Sequence, residues 1–286
     1  MSFSIARLAL LAALLPAAAG AQTLYFSAIP DEDDTALSER FSKVAEYLEG
    51  ELGADVEFVP VKSYPAAVTA FRNDQVQLAW FGGLSGVQAR RMTEGSKAIA
   101  QGVEDEAFVT YFIANSETGI EPSEEFPADA LEGLTFTFGA KTSTSGRLMP
   151  EYWIRQETGE APDEFFSRVG YSGDHSQTLR LVASGAWQVG ALNFSVYDKA
   201  VTDEAPEVED ARIIWQTPPY PDYNWTIRGD VDARFGEGFT DRVQEALLSM
   251  DDPDLLASFP RSGFIPATND DYAPIEETGD ALGLLR

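Results

Sequence analysis

Five consecutive small residues, Thr142-Ser143-Thr144-Ser145-Gly146, follow the apolar run Phe136-Thr137-Phe138-Gly139 and lead into a helical pattern. A strand-to-helix turn of this composition points unpaired backbone N–H groups outward, and its hydroxyls add donors that titration does not remove. The helix dipole favours negative charge at that point without a counter-ion. Any one of these hydroxyls is explained by capping the helix, but four in a row exceed what a cap needs. Four or five charge-assisted hydrogen bonds of about 1.5–3 kcal/mol each would sustain a micromolar anion complex, which requires about −8 kcal/mol. Lys141 and Arg147 flank the turn as long side chains of the kind that more often face solvent.

Other residues at strand-to-helix junctions could meet this turn. Gly173-Asp174-His175-Ser176 holds the only histidine, so an imidazole N–H could reach the same cleft. A lone histidine is more often structural, and without a second it builds no multi-histidine metal site. Asn193, Tyr197 and Asp198 follow the next apolar run, either as donors or as ordinary turn and helix-start residues. Ser63-Tyr64-Pro65 and Trp80-Phe81-Gly82-Gly83 offer counterparts nearer the N-terminus. Their glycines allow close approach, and their rings either exclude water or simply pack a core. A hydrolase reading would use Ser143 or Ser145 with His175 and Asp174, but there is no G-x-S-x-G turn to expose a nucleophile.

The elements that must position these residues alternate between strands and helices. Leu24 to Ile29 reads as a strand, and Asp31 to Asp34 and Thr35 offer caps for a helix with Leu37, Phe41, Val44, Leu48 and Leu52 on one face, closed by Gly53. Val56 to Val59 and Val76 to Phe81 are further strands, with a helix from Ser63 through Phe71 between them. A helix near Leu84 to Met92 and a β-prone run from Phe108 to Ala114 complete a first lobe, and the polar stretch Asn115 to Phe126 reads as a crossing. The rhythm restarts with Leu134 to Phe138, a helix from about Ser145 to Gln156, a strand near Val169, a helix from Ser176 to Ala183 and a strand through Val189 to Leu192. After a strand at Arg212 to Trp215, Thr217-Pro218-Pro219-Tyr220-Pro221 suits a return crossing, and the tail carries an amphipathic Phe239 to Leu248 and a loose end after Ile265. The expected division is residues 22–115 with 222–286 as lobe 1, 116–221 as lobe 2, and residues 1–21 as a leader.

That leader has Arg7 before an apolar run, Leu8 to Leu15, and small residues ending at Ala21: a secretory signal with cleavage after Ala21 and Gln22 as the first mature residue. A periplasmic protein free of the membrane is expected. Hydrophobic residues make up 44% of the chain, with 18 Phe, 10 Tyr and 5 Trp, enough for a substantial core. There are no cysteines, which removes disulfides, thiolate ligands and thiol nucleophiles. Twenty basic against 47 acidic residues give a net charge of −27, which makes nucleic acid an unsuitable partner and requires any anion site to be strictly local. Nothing in the sequence calls for a metal or cofactor.

Taken in order, Ser63-Tyr64-Pro65, Leu78 to Ser85, Ser143-Thr144-Ser145-Gly146 with Pro150, and Gly173-Asp174-His175 resemble the phosphonate-binding protein family of ABC importers. The segment Thr217 to Asp230 is most similar to a branch described as selenate-binding. The resemblance implies an α/β, two-lobed periplasmic binding protein of type II, each lobe a mixed sheet flanked by helices, hinged by two crossings and working as a monomer. It implies capture of a small tetrahedral oxyanion (phosphonate, phosphite, phosphate, or a sulfate or selenate) for a membrane permease; a sensor kinase is the alternative partner. Ligand-binding positions implied are Tyr64, Phe81, Gly82, Thr142, Ser143, Thr144, Ser145, His175, Asn193 and Tyr197. In relatives that bind aminoalkyl phosphonates, an aromatic stands near Phe108 and carboxylates near Asn193 to Asp198. Phe108 has no hydroxyl, and Tyr197 stands where one carboxylate is expected, which shifts the expectation towards a smaller ligand.

Overall fold

The computed structural model describes residues 22–31 and 34–285, the side chains of 34–38 excepted. The leader lies outside the described residues, as do the side chains of Asp34 and Thr35 expected to cap the first helix. The chain lays down β1 (Leu24–Ala28), β2 (Val56–Phe58), β3 (Leu78–Phe81) and β4 (Lys97–Gly102). It then forms β5 (Thr110–Asn115), β6 (Thr135–Phe138), β7 (Arg168–Tyr171), β8 (Val189–Asn193) and β9 (Ala211–Gln216), and ends with β10 (Asn224–Ile227) and β11 (Phe264–Pro266). Helices α1 (Asp34–Leu52) and α2 (Tyr64–Arg72) join the first three strands, and α3 (Gly83–Arg91) follows β3 directly.

These strands form two mixed sheets in the orders β11-β4-β10-β3-β1-β2 and β7-β6-β8-β5-β9. In each, the β-α-β portion is parallel and the strand that returns from the other lobe is antiparallel: β10 against β3, and β5 against β8. The carboxyl ends of β1, β3, β6 and β8 therefore open onto the cleft between lobes, the usual ligand edge of an open α/β sheet. α1 buries Phe41, Val44, Leu48 and Leu52 on one stripe and ends at Gly53, whose φ of 62° lies in the left-handed region. In the second sheet the period of two sends Phe112, Val189 and Ala191 to one core and Ile113 and Leu192 to another.

Two sequence expectations are corrected. The β-prone run ending at Ala114 does not complete the first lobe: as β5 it pairs with β8 and β9, so the first crossing lies before Thr110, and the polar stretch after Asn115 is a loop of the second lobe. The tail after Ile265 is not loose, because Asn269–Tyr272 and the helix Ala273–Ala281 bury Tyr272 and Ile275 against the first lobe.

The crossings are tied to each other. Phe108 and Tyr220 exchange backbone hydrogen bonds of 2.9 and 3.0 Å, Thr110 and Thr217 bond in both directions, and the Asp222 N–H reaches the Asp105 carbonyl at 3.0 Å. Beneath them the buried Asp105 carboxylate receives Arg261 Nε at 2.7 Å, Arg261 Nη2 at 2.8 Å and the Gly102 N–H at 3.0 Å. Burial alone would lower the Arg261 pKa, but the bidentate carboxylate more than reverses this and holds the guanidinium protonated. Asp105→Asn keeps the shape but leaves a buried cation without its counter-charge. The expected loss is about 3–5 kcal/mol of stability in denaturant titration; a variant within about 0.5 kcal/mol of wild type would show that the pair does not hold the crossings.

Candidate functional site

The hydroxyl turn lies at the end of β6, as its composition implies, and has an unusual start. Ser143 is the N-cap, with its Oγ accepting from the Gly146 N–H at 2.9 Å. Thr144–Leu148 is a π-turn that runs into the helix Met149–Thr158, so the N–H groups of Thr144 and Ser145 precede any intrahelical acceptor. Gly146 is required by close approach: a Cβ there would lie 3.0 Å from Ser143 Oγ and 3.1 Å from both Gly139 Cα and the His175 ring.

His175 stands behind this turn, fully buried. Its Nδ1 accepts the Asn193 N–H at 3.3 Å, which places the ring proton on Nε2, 3.5 Å from Ser145 Oγ. Burial pushes its pKa down to about 3, so it acts as a neutral donor throughout the physiological range. Asn193 caps the helix Phe194–Thr202 through Oδ1, and its Nδ2 reaches the Tyr223 hydroxyl at 3.1 Å. Tyr223 thereby accepts one bond and keeps its own proton to donate.

The first lobe meets this wall through α3. Its N-cap is Gly82, which has no side chain to cap with. The Gly83 N–H instead donates to Asp222 Oδ1 at 2.9 Å, and the Leu84 N–H donates to Thr144 Oγ1 at 3.0 Å. Thr144 therefore caps α3 from the opposite lobe. A Cβ on Gly82 would fall 3.2 Å from Asp222 Oδ1 and 3.3 Å from Thr144 Oγ1, which is why glycine suits that position. The lobes also meet where the His175 N–H reaches the Asp31 carbonyl at 3.1 Å.

Three buried polar atoms around this junction have no hydrogen-bond partner: the Tyr64 hydroxyl, Thr142 Oγ1 and Asp222 Oδ2. The Tyr64 hydroxyl faces Ser143 and senses Asp222, and burial raises its pKa so that it stays a donor. Burial also pushes the Asp222 carboxyl up to about 7; the Thr144 hydroxyl and the Gly83 N–H oppose the shift, and Asp105 adds to it. Unpaired donors and an acceptor buried at close quarters describe a ligand site.

Of the residues singled out in the sequence, Tyr64, Gly82, Thr142, Ser143, Thr144, Ser145, His175 and Asn193 are brought to this junction. Phe81 is fully buried behind it against Phe71, with ring centroids 5.7 Å apart. Tyr197 does not belong: its hydroxyl donates to the Ala211 carbonyl at 2.9 Å and its ring packs on Tyr111, because one helical turn beyond Asn193 the side chain faces the lobe 2 core. Arg147 also turns away, ion-paired with Glu151 and 4.3 Å over the Phe138 ring. Asp222 and Tyr223 were missed as site residues. One carboxylate among 47 acidic residues carries no mark of burial, although its place just after the proline-rich crossing is a signal that was there to use.

Two hinged α/β lobes enclosing a donor-rich, largely neutral cleft define a solute receptor of the type II periplasmic binding class. A family model described as "ABC transporter, phosphonate, periplasmic substrate-binding protein" matches residues 26–272. The chain is 38% identical over 277 residues to the probable ABC transporter phosphite-binding protein PhnD1 of Prochlorococcus marinus, covering 95% of this chain and 93% of that protein. It is 27% identical over 203 residues to the phosphonates-binding periplasmic protein of Escherichia coli, covering 70% of this chain and 59% of that one. The structure of the Prochlorococcus PhnD1 in complex with methylphosphonate superposes with a TM-score of 0.88, covering 91% of this chain and 98% of that chain. A binding protein component of an ABC phosphonate transporter from Pseudomonas aeruginosa shares the fold, with a TM-score of 0.78 at 19% identity, covering 90% of this chain and 85% of that one. The chain belongs to the phosphonate family of periplasmic substrate-binding proteins of ABC transporters.

Thr144→Val is nearly isosteric and removes both the acceptor for the Leu84 N–H and the hydroxyl against Asp222. The folded lobes should persist by circular dichroism, while oxyanion affinity falls by about ten- to a hundredfold, the equivalent of roughly 1.5–3 kcal/mol, in calorimetry. Unchanged affinity would remove this turn from the site.

Proposed function

We propose that this protein captures a small phosphonate or phosphite carrying one proton, closes its two lobes around it and delivers it to the membrane permease of an ABC importer. The observation that carries this reading is Asp222 Oδ2, a buried acceptor without a partner among donors that are likewise unpartnered. The Thr144 and Ser145 N–H groups with Tyr64, Thr142, Ser143, Tyr223 and His175 Nε2 supply donors for the anionic oxygens. Asp222 accepts from the ligand's P–OH group. Phosphate offers the same pattern, whereas sulfate and selenate, fully ionised near neutrality, bring two charges and no proton to that carboxylate.

The relatives agree with a small ligand: the Prochlorococcus protein is described as phosphite-binding and its structure holds methylphosphonate. Beside Tyr223, a cavity of only about 10 Å³ between Asn193, Ser195, Ser258 and Arg261 has room for no more than about one water and none for an aminoalkyl chain. Catalysis finds no support in the geometry. Asp174 accepts from the Gln177 N–H at 2.6 Å as a helix cap, the His175 Nδ1 is taken by a backbone N–H, and a histidine with a pKa near 3 is a poor general base. All donors come from one chain, so a monomer suffices, exported with cleavage after Ala21.

Asp222 is raised from 3.8 to about 7, so its proton is present below that value and lost above it. Its stabilising contribution to the empty closed form is complete below about pH 4 and lost as pH rises through about 7. In the complex one proton lies between Asp222 and the ligand oxygen facing it, so affinity for phosphite or methylphosphonate should be highest near pH 7 and fall by up to about tenfold per unit above it as that proton must be taken up. Calorimetry between about pH 6 and 8.5 should show this slope in wild type and its loss in Asp222→Asn, with sulfate and selenate bound at least about tenfold more weakly at neutrality. Sulfate held as tightly as methylphosphonate, or a flat wild-type profile, would sink the protonated-ligand assignment.

A further inference from the structure

An anion approaching a chain of net charge −27 meets repulsion before any cradle donor is within reach. At physiological ionic strength charges are screened beyond about 8 Å, so the encounter depends on those at the mouth of the cleft. The arginines nearest the cradle are already committed: Arg147 pairs with Glu151, which also holds Arg155, and Arg261 pairs with Asp105. Two lysines are not. Lys62 precedes Ser63 and Tyr64 in the turn into α2, and Lys141 directly precedes Thr142. Both are exposed, and neither has an ion-pair partner among the described residues.

The two turns belong to opposite lobes, so the lysines stand one on each lip. The Lys141 Nζ lies 5.2 Å from the centroid of the Tyr171 ring, at the carboxyl end of β7, with the Arg147 guanidinium 5.4 Å from the same ring. That ring, 42% exposed, holds the lysine ammonium at the protein surface by a cation–π contact rather than an ion pair. Among the described residues, Asp31 and Asp174 belong to the lobe contact where the His175 N–H meets the Asp31 carbonyl, so an arriving oxyanion passes carboxylates as well as these lysines.

We propose that Lys62 and Lys141 are a pair of capture charges, one per lobe, that draw the oxyanion into the open cleft and set its association rate without contacting it in the closed complex. The proposal rests on the oxyanion reading above. A charge that acts only on approach changes kon and leaves koff alone, while a contact residue changes koff. Trp80 stacks on Tyr223 at 5.5 Å beside the site, so tryptophan emission in stopped flow can report ligand entry.

With phosphite at low salt, Lys62→Gln and Lys141→Gln should each lower kon about two- to fivefold, the double variant about tenfold, and Lys141→Glu more than Lys141→Gln. In each case koff should hold at the wild-type value, and the differences should vanish at about 0.5 M salt. Wild-type kon in the double variant overturns the proposal. So does a raised koff, which would make the lysine a ligand contact. A wild-type protein that binds no oxyanion in calorimetry overturns the parent reading and this one together, whereas binding with unaltered variant kinetics overturns this one alone.

Discussion

Holding an anion inside an acidic chain depends on keeping fixed charge out of the cradle. Every group that faces the ligand position is a neutral donor in the physiological range, and the one ionisable acceptor, Asp222, is pushed by burial towards its own neutral form. Neutral dipoles lose little on burial when they are hydrogen-bonded, and they act at contact distance, where the chain's overall field matters least. The rest of the architecture serves this arrangement. Two parallel β-α-β portions bring helix starts to the same cleft, and the antiparallel return strands bring the crossings, with Asp222 and Tyr223, up against them.

Closure and recognition are coupled because they use the same atoms. The N-terminus of α3 lacks a capping side chain at Gly82, and its second N–H is satisfied by Thr144 from the other lobe. Separating the lobes exposes that N–H to water and removes a hydroxyl from beside Asp222. A ligand that bonds the Tyr64 hydroxyl, Thr142 Oγ1 and Asp222 Oδ2 favours the closed arrangement, because those atoms are otherwise buried without partners. The Asp105–Arg261 pair gives this motion a fixed base, since it holds the crossing strands from below, with the Arg261 guanidinium 5.1 Å from the centroid of the Tyr223 ring.

Much of this was legible in the sequence where a local pattern carried the information. Thr142 to Gly146 announces a donor-rich helix start, and Ser63-Tyr64-Pro65 a capped helix, through residue types that act within a few positions of themselves. What was not legible depended on partners far along the chain. The run ending at Ala114 is equally β-prone in either lobe, and only its pairing with Val189–Asn193 assigns it to the second. Tyr197 sits near a strand end like the residues gathered at the junction, but the helical step from Asn193 turns it into the core. The helix Ala273–Ala281 is too short and too polar to show an apolar period, and its burial comes from docking Tyr272 and Ile275 on the first lobe.

Among the described residues no arginine has a free guanidinium beside the unpartnered donors, which follows from the same constraint. In an open cleft a fixed guanidinium would be surrounded by a large excess of carboxylates, and the arginines closest to the site show the outcome: Arg147 is claimed by Glu151 and Arg261 by Asp105. A cation so paired must be released before it can hold a ligand, which opposes binding by the strength of the internal pair. Hydroxyls, backbone N–H groups and a neutral imidazole carry no charge for a carboxylate to claim, so no internal ion pair has to be broken before they hold a ligand. Exposed lysines at the lips escape the same fate through distance and mobility: a flexible, hydrated ammonium over an aromatic ring attracts an anion without being locked to a carboxylate. The cradle and its rim thus divide the work, with neutral groups for holding and mobile charge for approach.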